Sequence, residues 1–536
     1  MARSETLDAA ICNRARLARD PRFDGRFFIA VRSTGIYCRP ICPSPTAKRE
    51  NVRFFATAAE AVSAGYRPCL RCRPEAAPGT AAWNGTSTTV SRALRLIADG
   101  ALQDDGVAKL SERLGVSARH LDRLFRMHLG ASPAAVAKTA RLQFAKQLIS
   151  DTDLPMFRVA LASGFGSVRR FNDSIRDLYG RSPSELRRMR VATRSRSGKA
   201  AMRARRGKAA IRSRSDEYVF RLPYRPPYDW DSLLAFLAAR AIPGVEEVAA
   251  GAYRRSFSLG GTHGILEVRH EALANSLEAR VRFPEPVSLL PIVTRLRAMF
   301  DLAADPAPIA EHFRRDLLLG RLVEKYPGLR VPGAWDGFEL AVRAILGQQV
   351  SVSAASTLAG RIAQSLGEPL SIPDGDHSNG GGLTFVFPDA GAVAAAGLPG
   401  MPEVRASAIR TLASAVASGR IAFSGSDGGA ADGLKRIRGI GEWTEQYIAM
   451  RAGNEPDAFP VQDLVLMRVA GRGVPLTAAD LRARAEAWRP WRAYAAILLW
   501  RSAADAPFAA ESRARSAGSR ARGPATRRAA LRQSGG

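Results

Sequence analysis

A chain of 536 residues is too long for one hydrophobic core, and ordinary domain sizes predict roughly three to five compact units. Lys and Arg outnumber Asp and Glu by 79 to 50, a net charge of +29, so the expected partner is a polyanion, with nucleic acid first. The opening MARSETLDAA has no apolar core, and no apolar run reaches the roughly 18 residues a membrane helix needs, so a cytoplasmic protein without a membrane partner is expected.

All five cysteines, Cys12, Cys38, Cys42, Cys69 and Cys72, lie near the start. In a reducing compartment paired spacing favours metal over disulfides. Cys38-x3-Cys42 and Cys69-x2-Cys72 can close a thiolate tetrahedron around one Zn²⁺. Spacing alone leaves two readings open, a structural knuckle and a reactive centre. A tetrathiolate zinc carries a formal charge of about −2, so its sulfurs stay nucleophilic. The surrounding FFIAVRSTGIYCRPICPSPTAKRENVRFFATAAEAVSAGYRPCLRCRPE resembles the methylphosphotriester-accepting domain of the Ada family. The resemblance implies a small α/β zinc domain over residues 1–78. In it Cys38 is both ligand and methyl acceptor, and Cys42, Cys69 and Cys72 are ligands only. Methylation would remove one negative charge and raise affinity for DNA phosphates. The loop after Cys42, PSPTAK, lacks the arginines expected there for phosphate contact.

A softer boundary at Pro74 to Asn84 precedes an all-helical stretch, residues 84–190, that contains a repeat. LGVSARHLDRLFRMHLGASP is echoed by GFGSVRRFNDSIRDLYGRSP, with Gly-x-Ser-Pro endings at Gly130 and Gly180. Val107 to Leu114, a turn at Gly115-Val116 and Ser117 to Leu129 read as helix, turn and capped helix. The second helix presents Arg119, His120 and Arg123 away from its apolar face. Its echo, Ser167 to Tyr179, presents Arg169 and Arg170. A bundle with solvated arginines and a pair of recognition helices for successive major grooves are both open on this pattern. With its repeat, the region resembles an AraC-type helix-turn-helix domain, in the order found in Ada. That resemblance implies promoter DNA as ligand and RNA polymerase as a further partner. The alkylguanine methyltransferase half of Ada has no counterpart, because no Pro-Cys-His-Arg motif occurs and no cysteine follows Cys72.

Arg187 to Arg214 holds twelve basic residues and no acid, so residues 191–215 are expected to form a disordered basic linker dividing the chain into two halves. Tyr218 to Pro286 mixes alternating segments (FSLGG, GILEVRH, LEARVRF) with one helix near Asp231 to Arg240, an α+β unit over 216–287. Residues 288–508 are almost wholly helical in pattern, and 509–536 form a second basic tail expected to be disordered.

Leu434 to Thr444, LKRIRGIGEWT, reads as a helix-hairpin-helix in which Gly439 and Gly441 let backbone amides approach a phosphate. By itself Gly-Ile-Gly fits a plain helix turn equally well. Nineteen positions after Thr444 stands Asp463. Hairpin and aspartate together resemble the HhH-GPD glycosylases. RPPYDW, LAARAI, RAILGQQVSVSAA, GIGEWTEQYIAMR and WRPWRAYAAILLW extend the likeness to AlkA-type 3-methyladenine glycosylases across Tyr218 to Trp500. The resemblance implies a TBP-like N-terminal domain and an all-α catalytic domain. It makes Asp463 the catalytic carboxylate, and Trp443, Tyr447 and Trp500 the walls that hold a cationic base by cation–π stacking. It also implies a monovalent cation at the hairpin. Trp443 stands where bifunctional members carry their Schiff-base lysine, which implies hydrolysis without lyase chemistry. Two positions depart from the pattern: Gln349 replaces the apolar wedge that fills the gap left by a flipped base, and Leu464 replaces an aromatic.

The expected whole is a multidomain, mainly α monomer acting on alkylated and promoter duplex DNA. It would accept methyl groups on Cys38, regulate transcription and excise alkylated bases such as 3-methyladenine and 7-methylguanine. A DNA-binding regulator with an inactive glycosylase half, and an enzyme with a purely structural zinc domain, are the alternatives.

Overall fold

The computed structural model describes residues 8–77, 88–98, 102, 106–152, 154–189, 216–286, 289–371, 382–398, 400–423, 433–472 and 474–505. The expected linker 191–215 and tail 509–536 lie outside the described residues. The architecture is multidomain and mainly helical, with two antiparallel-rich sheets.

The first sheet has the order β3-β1-β2-β4, with β1 Phe28–Val31, β2 Ile36–Cys38, β3 Val52–Phe55 and β4 Arg67–Pro68. Both faces of β1 are covered, as its alternation requires. Phe28 and Ala30 pack with Tyr37, Phe55 and Ala61, while Phe27 and Ile29 pack with Cys12, Ala15 and Val52. Burial pushes the Cys12 thiol up to about 11, which suits an inert core residue.

In the helical region that follows, the repeated motifs are a repeated capping device. Helices Ala118–Leu129 and Val168–Tyr179 begin at Ser117 and Ser167, whose side chains accept from the amides of His120 and Arg170. They stop at Gly130 and Gly180, whose φ of +68° and +65° lies in the left-handed region that glycine enters without penalty. Helix Pro133–Asp151 joins the two units.

The second unit does not close a core of its own. Its Leu142, Leu148, Phe171 and Ile175 share one buried cluster with Tyr218, Phe220 and Leu222 of β5, Glu217–Pro223. The linker therefore does not divide the chain into two independent halves, because apolar faces on either side of it bury each other. Polar contacts tie in the cysteine domain as well. Lys146 Nζ reaches Glu75 at 3.3 Å, Arg73 reaches Asp151 at 3.0 Å, and Arg26 reaches Asp305 of the C-terminal region at 2.8 Å.

The second sheet is an antiparallel meander from β6 (Glu246–Ala249) through β7 and β8 to β9 (Ser276–Arg282), with β5 added beside β9, in the order β5-β9-β8-β7-β6. Strands β7 Ala252–Leu259 and β8 Thr262–Glu271 join through Gly260 and Gly261, both at positive φ, the conformation a two-residue hairpin needs. Helix Trp230–Ala238 buries Trp230, Leu233 and Leu237. Helix Leu289–Met299 packs Ile292, Leu296 and Met299 into the cluster of the second sheet, and the helices from Pro306–Phe313 to Arg492–Asp505 surround another large apolar cluster that includes Leu340, Ile345, Ile409, Ile448 and Leu498.

Candidate active site, metal centre and nucleic-acid interface

Asp463 is the N-cap of helix Leu464–Ala470. Its Oδ1 accepts from the amides of Val465 (3.0 Å) and Leu466 (2.9 Å) and from Trp500 Nε1 (3.1 Å), while Oδ2 accepts from Trp443 Nε1 (3.0 Å). Four N–H donors and a helix N-terminus thus complement its negative charge. Oδ1 is saturated, whereas Oδ2 keeps a lone pair for a further donor or an electron-poor carbon. The two indoles that hold Asp463 are two of the three aromatic residues expected at this site, so the structure brings them together. The third, Tyr447, stacks on Trp443 with centroids 5.1 Å apart and planes 9° apart, and lies 6.2 Å from Trp500. Trp443 and Tyr447 are already in contact, so no base fits between them and an incoming ring must stack on an outer face. Leu464, next to Asp463, is 72% exposed.

The hairpin precedes helix Glu442–Arg451, whose N-cap Gly441 offers no side-chain cap to the first-turn amides. Gly439 has a φ of +97°, which requires glycine. Gly441 is extended, and a Cβ there would meet nothing within 4 Å, so the space beside it is free for a phosphate. Gln349 sits exposed between helices Gly337–Leu346 and Val352–Leu366 with φ +57°. Its neighbour Gln348 ties this loop to the hairpin: Nε2 donates to Gly439 O (2.8 Å) and Thr444 Oγ1 (3.0 Å), and its carbonyl accepts from Arg405 Nη2 (2.6 Å). Sequence reasoning missed Gln348 because the partners of its side chain lie over 90 residues away. Replacing it by Ala in Gln348→Ala is expected to cost about 1–2 kcal/mol of stability, two neutral hydrogen bonds, read from the urea midpoint at unchanged slope. An unaltered midpoint would remove the tie from the account.

The cysteine cluster is set by strand register. β2 and β4 pair in parallel, Ile36 with Arg67 and Tyr37 with Pro68, and the Cys69 amide donates to Tyr37 O at 2.9 Å, which brings the positions of Cys38 and Cys69 side by side. The sulfurs of Cys38, Cys42, Cys69 and Cys72 all lie within 4.8 Å of one another. A tetrahedron of zinc–sulfur bonds has edges of about 3.8 Å, so the donor set fits. Four thiols so close cannot all ionise without a cation, and crowding drives Cys38 and Cys72 up and Cys42 and Cys69 down. Surroundings distinguish the four. Cys69 and Cys72 are buried, and Cys72 Sγ accepts from the Arg39 amide at 3.3 Å. Cys38 is half-exposed, and among the described residues no N–H or O–H group donates to its sulfur. Arg39 is itself fixed by a buried ion pair with Asp24.

On the helical domain Arg119, Arg123, Arg169 and Arg170 are exposed, and His120 is half-buried with its Nδ1 3.2 Å from Arg123 Nη2. Lys138, Arg141 and Arg170 line a cleft beside the second of these helices. Among the described residues no helix is long and apolar enough to cross a membrane.

Three family models match: the metal-binding domain of Ada over residues 11–75, a helix-turn-helix domain over 110–189, and the AlkA N-terminal domain over 219–336. The last extends past the second sheet into the helices that follow it. The probable bifunctional transcriptional activator/DNA repair enzyme AlkA of Mycobacterium tuberculosis is 40% identical over 494 residues, 91% of this chain and 95% of that protein. The DNA-3-methyladenine glycosylase 2 of Escherichia coli is 37% identical over 53% of this chain and 96% of its own length. The bifunctional transcriptional activator/DNA repair enzyme Ada of the same organism is 45% identical over 22% of this chain and 32% of its own length.

Proposed function

This chain belongs to the family of the bifunctional transcriptional activator/DNA repair enzyme AlkA, and from that membership we propose that it senses, signals and repairs alkylation of duplex DNA through three sites on one polypeptide. The observation that carries the repair reading is the Asp463 carboxylate held between two indole N–H groups with one lone pair unspent.

In the excision step the C1′–N bond of an alkylated purine breaks, the base leaves with the bonding pair, and positive charge develops on the sugar. Asp463 faces that charge, orients the water whose oxygen bonds to C1′ and takes on Oδ2 the proton that the water sheds. Trp443, Tyr447 and Trp500 receive the flipped base; a cationic base is already a good leaving group, so stacking selects it without a strong acid. Gly439 and Gly441 present amides to a backbone phosphate. A monovalent cation on the hairpin would share the Gly439 carbonyl, which spends one lone pair on Gln348. Gln349, with exposed Val350 beside it, enters the gap in the duplex.

Cys38, Cys42, Cys69 and Cys72 would hold one Zn²⁺, which keeps the sulfurs deprotonated when bound. Cys38 Sγ, half-exposed and without a damping donor, attacks the methyl carbon of a phosphotriester. The S–C bond forms as the O–C bond breaks, and the phosphate departs as a diester anion. Arg119, His120, Arg123, Arg169 and Arg170 face promoter DNA, and RNA polymerase is the partner on the transcription side. The proposed units follow the expected boundaries, 1–78, 84–190, 216–287 and 288–508, in a cytoplasmic monomer.

With Trp443 in place of a lysine, duplex treated with a methylating agent is expected to yield free 3-methyladenine and abasic sites on intact strands. The products are read by chromatography and by a denaturing gel before and after alkali. Nicking without alkali, together with a borohydride-trapped adduct, would replace hydrolysis by lyase chemistry.

A further inference from the structure

Behind the base site lies an ionic cluster that the reaction described above does not use. Arg451, on the helix that carries Trp443, donates Nη1 to the Tyr447 hydroxyl at 2.8 Å and is pinned by Nε to Pro332 O (2.7 Å) and Nη2 to Gly333 O (2.9 Å). Arg240, just past helix Trp230–Ala238, faces that hydroxyl as a second cation. Arg343 of helix Gly337–Leu346 faces it as a third cation. Further back, Arg343 contacts Glu246 at 2.9 Å and Glu339 at 3.2 Å, and Arg255 of β7 contacts Glu339 at 2.7 Å and Glu246 at 3.5 Å. Tyr253 donates to Glu246 at 2.6 Å.

These groups, gathered from five elements, do not balance. Arg240, Arg255, Arg343 and Arg451 supply four positive charges, and Glu246 and Glu339 supply two negative ones. Arg255, Arg451, Glu246, Glu339 and Tyr447 are all buried. A buried excess of cations is costly and lowers the energy of any anion formed beside it. Tyr447 is the hydroxyl at its centre. The remaining carboxylate of the pocket, Asp463, is engaged by Trp443 and Trp500 on the other side.

We propose that Tyr447 serves as a phenolate, an anionic floor to the base pocket that selects alkylated bases carrying positive charge over neutral lesions. This rests on the excision reading above and adds the source of its substrate preference. Burial alone pushes the phenol up, but Arg451, Arg240 and Arg343 outweigh it and bring its pKa down to about 8. The phenolate therefore fills as pH rises through that value. Its ring, stacked on Trp443, passes extra negative charge to the face a cation meets.

The test titrates the full chain through the near-ultraviolet tyrosinate band and compares release of 3-methyladenine with release of neutral hypoxanthine. One tyrosine is expected to ionise near pH 8 in the wild type and to be missing in Tyr447→Phe. Arg240→Met, which leaves the ring in place, is expected to move the step upward. The ratio of 3-methyladenine release to hypoxanthine release should fall about tenfold in Tyr447→Phe. Identical titration curves for wild type and Tyr447→Phe would overturn the phenolate, as would an unchanged preference. A wild type that shows the step but releases neither base would support the phenolate and sink the excision reading instead.

Discussion

Asp463→Asn is expected to slow base release about a thousandfold, roughly 4 kcal/mol of transition-state stabilisation, while affinity for undamaged duplex stays within a factor of two or so. The substitution nearly preserves shape. Asn Oδ1 can keep the cap bonds to Val465 and Leu466 and the bond from Trp500, so helix Leu464–Ala470 retains its start. What changes is the other atom. An amide nitrogen replaces Oδ2 and meets Trp443 Nε1, donor against donor, where 3.0 Å now separates donor and acceptor. The negative charge that faces the sugar is gone, and one partly buried indole N–H loses its acceptor, a further cost of about 1 kcal/mol in stability. Single-turnover release and a melting curve on the same preparation separate the two effects. A variant that melts early but still excises at the wild-type rate would remove Asp463 from the chemistry and leave it as a cap.

Cys72→Ser, or a strong chelator, is expected to unfold the cysteine domain and weaken its neighbour. The apolar clusters on the two faces of its sheet are small, so the metal supplies much of the folding energy, on the order of 10 kcal/mol for such sites. Arg73, next in sequence to Cys72, reaches Asp151, and Glu75 reaches the buried Lys146 of helix Pro133–Asp151. Losing Glu75 leaves that ammonium buried and unpaired, a penalty of about 3–5 kcal/mol carried into the helix-turn-helix region. Excision should survive, because the aromatic site and Asp463 lie in another core. Thermal melting with metal analysis should show loss of one zinc per chain and an early transition that wild type lacks. Retention of the metal and an unaltered melt would mean that three thiolates suffice, and the cluster would not be the keystone of its domain.

The parts of the fold carried by short-range chemistry were readable from the chain itself. Ser117 and Ser167 cap helices, Gly130 and Gly180 end them, and the Cys38, Cys42, Cys69, Cys72 spacing converges on one set of sulfurs. Asp463 was located only through its place after the hairpin, since an isolated aspartate before an apolar run reads as a helix cap. It is indeed a cap, accepting from the Val465 and Leu466 amides, and two indole N–H donors single it out from other caps. Long-range pairings left no such trace. Nothing periodic announces that Gln348 reaches Gly439, or that Arg451 on one helix and Arg240 beyond another converge on Tyr447. The shared core of Phe171, Ile175 and Phe220 was hidden for a related reason: a basic, low-complexity stretch between them reads as separation, and only tertiary packing reveals that its two flanks need each other.

The most direct test of the central claim is mass spectrometry of one reaction, full-length protein with duplex DNA treated with a methylating agent. Free 3-methyladenine in solution and a single added methyl on the peptide containing Cys38 are the expected result. Either product without the other would contradict the account: free base alone would leave a zinc knuckle joined to a glycosylase, and methylated Cys38 alone would leave a DNA-binding sensor beside a silent enzyme fold.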